Sequence, residues 1–243
     1  MITKSEIKYI QSLAYKKFRE EERSMVAEGV KTVNELLCDF PDQIQSLYAT
    51  AEWISQNPNL PKRISCVEVQ EHELEKISFL KQSNKVLAIV DIPQLLFPSS
   101  SGIFLMLDQI QDPGNLGTII RTADWFGVRG LICSSDTADA YAPKVVQSTM
   151  GSIFRMPILY TDLVEFLKNK EELNTYAATL SGNSMVNINF KTPCCLIIGN
   201  ESKGISPELL ELSNHTVSIP KKGQAESLNA AIATAVLLSR IAL

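Results

Sequence analysis

Cys194-Cys195-Leu196-Ile197-Ile198-Gly199-Asn200-Glu201-Ser202-Lys203-Gly204-Ile205-Ser206 runs from an unbroken apolar stretch into a polar loop bounded by two glycines. A short apolar run without polar alternation is how a strand reads when both faces are covered, as in a parallel sheet. The same grammar recurs on either side. Ile103–Leu107 leads into Asp108-Gln109-Ile110-Gln111-Asp112-Pro113-Gly114-Asn115, and Val217-Ser218-Ile219-Pro220 leads into Lys221-Lys222-Gly223-Gln224-Ala225-Glu226-Ser227-Leu228-Asn229. Candidate strands at Ile103–Leu107, 130–134, 175–180, Cys194–Ile198 and 216–219 alternate with helices starting near Gly114, Pro143, Asp162, Pro207 and Ser227. Such alternation predicts an α/β fold with a mostly parallel sheet covered on both faces. Ligands of these sheets sit in loops after the carboxyl ends of strands, so the quoted loops are where function is expected.

Upstream, Ile92-Pro93 through Phe97-Pro98-Ser99-Ser100-Ser101-Gly102 breaks the pattern with prolines and a Ser/Gly cluster. A linker there separates an N-terminal unit, residues 1–98, from a C-terminal unit, residues 99–243. The N-terminal unit opens on an expected helix whose apolar stripe is Ile7, Ile10, Leu13, Ala14 and Phe18. Beside the stripe Lys4, Lys8, Gln11, Tyr15 and Arg19 recur at steps of three and four. They read either as the solvated edge of an amphipathic helix or as a phosphate-contacting face with one stacking aromatic. Strands at 47–50, 64–69 and Val86–Asp91, with helices near 28–37 and 71–80, make this a small α/β module.

Composition narrows the possibilities. The 243 residues carry a formal charge of −4 and are 45% hydrophobic and 21% charged, which is ordinary for a globular chain. The acidic balance counts against coating nucleic acid by bulk electrostatics, so positive charge for such a partner must be local. Five cysteines form no C-x-x-C pair and meet only two histidines, which assembles no zinc spacing. Reduced thiols and no metal are expected. The start of the chain lacks the apolar core of a secretion signal. The uncharged run 227–239 falls well short of the roughly 20 residues a spanning helix needs, so a cytoplasmic protein without a membrane segment is expected.

The glycine-bounded loop after Ile198 superficially matches a phosphate loop, but Ile205 stands where the phosphate-reaching lysine must be, and no G-x-G occurs anywhere. Nucleoside-triphosphate hydrolysis and dinucleotide binding are excluded on these grounds. Taken singly, the remaining signals are modest. Arg121 fits a surface arginine on the helix after Gly114, Ser227 fits a helix N-cap, and Asn229 fits a polar residue in a first helical turn.

Taken together, they form a pattern. Asp112-Pro113, Asn115, Gly117 and Arg121-Thr122-Ala123, then Gly199-Asn200-Glu201 with Gly204, then Ile219-Pro220, Gly223 and Ser227-Leu228-Asn229 follow one another in order. In this the chain resembles the SpoU/TrmH branch of the SPOUT RNA methyltransferases across 103–243. The N-terminal unit resembles that family's substrate-binding extension, itself similar to a small ribosomal protein; Glu28-Gly29 fits it. Lys221 after Ile219-Pro220, Ala230-Ala231 after Asn229, and Asn84-Lys85 before Val86 depart from common family residues and leave the subfamily open.

The resemblance implies a C-terminal trefoil knot, a homodimer, S-adenosylmethionine as cofactor, and methylation of a ribose 2′-hydroxyl in ribosomal or transfer RNA. By position it implies cofactor contacts at Thr179, Leu180, Gly199, Asn200, Gly204, Ile219 and Leu228. It further implies catalytic roles for Arg121, Asn115, Glu201, Ser227 and Asn229, with Lys4, Lys8, Tyr15, Arg19, Lys221 and Lys222 as RNA contacts. An enzyme of the same superfamily methylating a base, and a non-catalytic RNA-binding module, are the alternative readings.

Overall fold

The computed structural model describes every residue except Met1, Ser99, Ser100 and Glu171. In the first part of the chain lie α1 (Lys4–Ser12), α2 (Lys16–Glu22), β1 (Ser24–Glu28), α3 (Val30–Asp39), β2 (Ile44–Ala49), α4 (Ala51–Gln56), β3 (Ser65–Glu68), α5 (Glu71–Ile77) and β4 (Val86–Asp91). Then come β5 (Ile103–Leu107), α6 (Pro113–Trp125), β6 (Gly130–Cys133), α7 (Pro143–Thr149), β7 (Ile158–Tyr160), α8 (Leu163–Lys168) and β8 (Asn174–Ser184). The chain closes with β9 (Cys194–Ile198), α9 (Pro207–Leu212), β10 (His215–Ser218) and α10 (Ala230–Ala242).

The described residues form two compact units. One comprises Met1–Gln94 together with Asp139–Phe154; the other comprises Leu95–Ala138 and Arg155–Leu243. A single cut at residue 98 therefore does not describe the division, because α7 packs on β1 and belongs with the first unit. Ser99, where the second unit was expected to open, lies outside the described residues, as does Ser100.

The first unit holds a four-stranded sheet in the order β1-β4-β2-β3, with β4 antiparallel to both neighbours and β2 parallel to β3. Its core is Ile10, Leu13, Val26, Tyr48, Leu74, Ile77, Leu87 and Ile89. The single opening helix expected from the sequence is two. A capping box between Thr3 and Glu6 starts α1, which ends at Leu13, and an extended Tyr15 (φ −98°, ψ 132°) restarts the chain into α2. The break changes the apolar stripe: Ile10 and Leu13 are buried, whereas Ala14 and Phe18 face solvent. It also buries Arg19, 3% exposed, whose Nη1 donates to Leu13 O at 2.6 Å and whose Nη2 pairs with Asp139. The guanidinium captures a helix-end carbonyl that would otherwise lack a donor. Two strands, β1 and β7, were not expected from the sequence.

The second unit is built on six parallel strands in the order β10-β8-β9-β5-β6-β7. Phe104, Met106, Ile132, Ala177, Cys195 and Ile197 supply the buried strand side chains, and Leu163, Leu167 and Leu209 come from the covering helices. Because all six strands run the same way, the loops after β5, β8, β9 and β10 emerge along one edge. One ladder is interrupted. Thr216 pairs with Ala177 but the next residue, Val217, pairs with Asn183, which leaves 178–182 outside the ladder. This excursion falls on the Thr179-Leu180-Ser181-Gly182 segment singled out above.

Candidate active site

At the edge where the parallel strands end, the three quoted loops meet through side-chain amides. Asp112 caps α6 by accepting from Asn115 N at 2.8 Å, and Pro113 supplies a first-turn residue that needs no partner for its nitrogen. That cap fixes Asn115 at the start of the helix. Its Nδ2 donates to Glu201 Oε1 at 2.7 Å, and its Oδ1 accepts from Asn229 Nδ2 at 2.8 Å. Asn229 in turn caps α10, its Oδ1 accepting from Ala231 N at 2.9 Å and Ile232 N at 3.3 Å. The chain of bonds has a direction. Glu201, an acceptor when ionised, sets the Asn115 amide, and Asn115 sets the Asn229 amide. Positions 86 and 114 residues apart are thereby joined.

The loop carrying Glu201 is held from within. Asn200 and Gly204 exchange backbone bonds at 3.0 and 2.9 Å, and Asn200 Oδ1 accepts from Ser202 N and Lys203 N. A Cβ on Gly199 would lie 2.3 Å from the Gly204 carbonyl carbon, so glycine is required there by the loop's own closure. Gly204 needs glycine for a different reason, its φ of +73°.

Among the residues matched to a cofactor site, Thr179 carries a buried hydroxyl without a hydrogen-bond partner among the described residues. A buried hydroxyl left unpaired is costly, and a bound polar ligand would satisfy it. Leu180, within β8, is 80% exposed and Leu228, in the loop before α10, is half-exposed, two large apolar side chains left uncovered. Ser218 Oγ ties the excursion down by donating to Gly182 O at 2.7 Å. An orphaned hydroxyl, apolar side chains free to cover a ring and exposed backbone suit a nucleoside-like ligand. Ile219 is partly buried just beyond β10.

Arg121 and Ser227 stand apart from the amide network. Arg121 is exposed on α6, six residues and therefore roughly 9 Å along the axis from Asn115. Ser227 does not cap a helix; it lies in an exposed loop with Lys221 and Lys222, and the cap is Asn229. In the first unit Lys4, Lys8 and Tyr15 are exposed, and Tyr15 stands edge-on to Phe18 at 6.4 Å. Arg19 is withdrawn from that face because its guanidinium is consumed internally, so it is no phosphate contact. A cavity of about 170 Å³ lined by Phe97, Phe104, Phe166 and Leu173 involves none of the expected site residues. Two residues went unassigned in the sequence: Asp108 and Gln109. Their signal was a carboxylate and a carboxamide placed directly after a wholly apolar strand.

A parallel α/β domain with polar loops converging at its carboxyl edge defines a ligand-binding enzyme domain. The family model described as SpoU rRNA Methylase family matches residues 102–239, and that described as MRM3-like substrate binding domain matches residues 4–88. A Bacillus subtilis protein named 23S rRNA (guanosine(2553)-2′-O)-methyltransferase RlmP is 30% identical over 96% of this chain and 94% of its own. Among solved structures, a TrmH-family RNA methyltransferase from Porphyromonas gingivalis superposes with a TM-score of 0.87 at 34% identity, covering 99% and 98% of the two chains. An AdoMet-bound rRNA methyltransferase from Sinorhizobium meliloti gives 0.85 at 32%, covering 99% and 95%. The chain belongs to the SpoU rRNA methylase family.

Proposed function

We propose that this protein transfers the methyl group of S-adenosylmethionine to a ribose 2′-hydroxyl of a structured RNA, ribosomal or transfer. The observation that carries the reading is the joining of Glu201, Asn115 and Asn229 in a chain of this family. The 2′-O specificity in the name of the Bacillus subtilis relative favours ribose over base, and the Sinorhizobium meliloti structure contains AdoMet.

When bound, the sulfonium cofactor would supply an electrophilic methyl for in-line attack by an oxygen nucleophile, with the C–S bond breaking and the sulfur leaving as a neutral thioether. Thr179, Leu180, Gly199, Asn200, Gly204, Ile219 and Leu228 would hold it, and the Thr179 hydroxyl, which has no partner of its own among the described residues, could bond to it. Arg121 grips the nucleotide phosphate and favours the developing alkoxide electrostatically. A guanidinium stays protonated in proteins, so Arg121 is not the proton acceptor, and the hydroxyl proton passes to another group or to water. Asn115, Glu201, Ser227 and Asn229 orient the acceptor sugar.

Labour is divided between RNA capture by the first unit and methyl transfer by the second. Lys4, Lys8 and Tyr15 in the first unit, with Lys221 and Lys222 in the second, supply the local contacts that a net charge of −4 does not. The second unit carries the trefoil knot that the resemblance to the family implies, a reading supported by the family match over residues 102–239. It pairs as a homodimer through α6 and α10, which pack together and leave Trp125 85% exposed and Ile232 half-exposed. The enzyme works in the cytoplasm, a reading supported by its five free cysteines.

Nucleoside mass spectrometry on RNA from a strain lacking the gene tests the reading. One 2′-O-methylated nucleoside should disappear and return on complementation with the native gene but not with Arg121→Ala. The purified variant should keep cofactor affinity within about twofold. Loss of a base-methylated nucleoside instead would overturn it.

A further inference from the structure

We infer that Asp108 is a positioning residue which, with the backbone of Gln109, clamps both ends of the 199–206 loop and so sets where Glu201 stands. Asp108 directly follows β5 and is 4% exposed. Its backbone N–H donates to Ile198 O at 2.9 Å, extending the ladder between β5 and β9 by one bond. Its Oδ2 accepts from Ser206 N at 2.7 Å. A carboxylate taken out of water is retained at a cost unless bonded, and here its bond is to the far end of the Glu201 loop.

Gln109 grips the near end. Its carbonyl accepts from Asn200 Nδ2 at 2.8 Å, while its N–H donates to Ser134 Oγ at 2.9 Å. To aim both groups it adopts φ +58°, a left-handed conformation unfavourable for a residue with a side chain. Ser134 Oγ is bonded to Thr137 Oγ1, which donates back to Leu107 O at the end of β5. The clamp is therefore anchored in the sheet. Between its jaws the loop is closed by the Asn200–Gly204 pair, and the outward group is Glu201, which holds Asn115. Asp108 touches neither the acceptor nor the network directly; it acts through the loop.

The inference rests on the cofactor assignment of the 199–204 loop, and the test separates the two. Full-length Asp108→Ala and Asp108→Asn are compared with Ser206→Pro, which deletes the N–H donor at a backbone angle, φ −59°, that proline accepts. Cofactor affinity is measured by calorimetry with S-adenosylmethionine, and kcat and KM with ribosomal RNA from the deletion strain. Asp108→Ala and Ser206→Pro should each weaken cofactor binding and lower kcat about tenfold or more, with KM for RNA within about twofold. Their combination should lose little more than either alone. Asp108→Asn, which keeps an acceptor oxygen, should recover most of both values. A fall in thermal stability without change in affinity or kcat would overturn the clamp, as would an Asn variant no better than Ala. If exposed Leu228→Asp also leaves cofactor binding intact, the cofactor assignment itself falls; if it alone loses binding, only the clamp does.

Discussion

Replacing Asn229 separates two jobs that one side chain performs. Its Oδ1 caps α10 on two N–H groups, and its Nδ2 donates to Asn115 Oδ1. Asn229→Ala removes both. Loss of an N-cap costs about 1 kcal/mol and loss of the amide bond about another 1 kcal/mol. The sum of about 2 kcal/mol lowers Tm by roughly 4–8 °C for a chain of this size. Asn229→Asp keeps the cap, and its charge suits a helix N-terminus. It faces Asn115 Oδ1 with another acceptor, however. Asn115 cannot relieve this by turning its amide, because that would present an oxygen to Glu201. The Asp variant should therefore melt within about 2 °C of the native protein while its kcat falls about tenfold or more, an amount equivalent to one lost hydrogen bond in the transition state. Differential scanning calorimetry and single-turnover methylation read the two effects. An Asp variant with native kcat would refute the claim that the amide chain orients the site, and an Ala variant with native Tm would refute the cap.

Other perturbations address the rest of the molecule. Arg19→Ala takes the ion-pair partner from Asp139, which keeps the Tyr141 N–H, and the donor from the Leu13 carbonyl, and should destabilise by about 2–3 kcal/mol; a change under about 1 kcal/mol by urea unfolding would contradict the burial argument. Glu28 is buried in β1, where its carboxylate accepts from Ser78 Oγ and Phe79 N, and burial pushes its pKa above the ordinary 4.5. The folded state thus holds this proton more tightly than the unfolded chain, so its contribution is present below pH 4.5 and is lost as pH rises through the raised pKa. The stability of Glu28→Gln relative to the native protein should shift in the variant's favour from about pH 4 to about pH 7; a flat or opposite difference would exclude this. Burial pushes the Cys194 thiol up to about 11 and those of Cys133 and Cys195 higher still. Native-state labelling with a thiol reagent should reach exposed Cys38 first and half-buried Cys66 next, with those three reacting only after unfolding.

Legibility in the sequence followed the range of the interaction. Ile103–Leu107, Cys194–Ile198 and Val86–Asp91 were read to the residue, because uninterrupted apolar runs ending at polar residues mark buried strands. Strand β1 was hidden: Ser24-Met25-Val26-Ala27-Glu28 is short and ends in a carboxylate, and part of what buries it is α7, more than a hundred residues away. Strand β7, three residues at the sheet edge, offered too little pattern. Arg19 had the spacing of an exposed stripe, but the chain turns between Leu13 and Tyr15, and past such a turn helical periodicity no longer says which way a side chain points.

By itself the sequence determined the strand-helix alternation and the three loops that carry the polar residues, since each depends on neighbours within a dozen positions, and the alternation in turn implied a parallel sheet. Only the tertiary structure decided that Asn115 meets both Glu201 and Asn229, that Asn229 rather than Ser227 caps α10, and that Asp108 reaches Ser206. Those contacts depend on which strands lie side by side, and strand order is settled by packing across the whole sheet, which no local stretch of residues encodes.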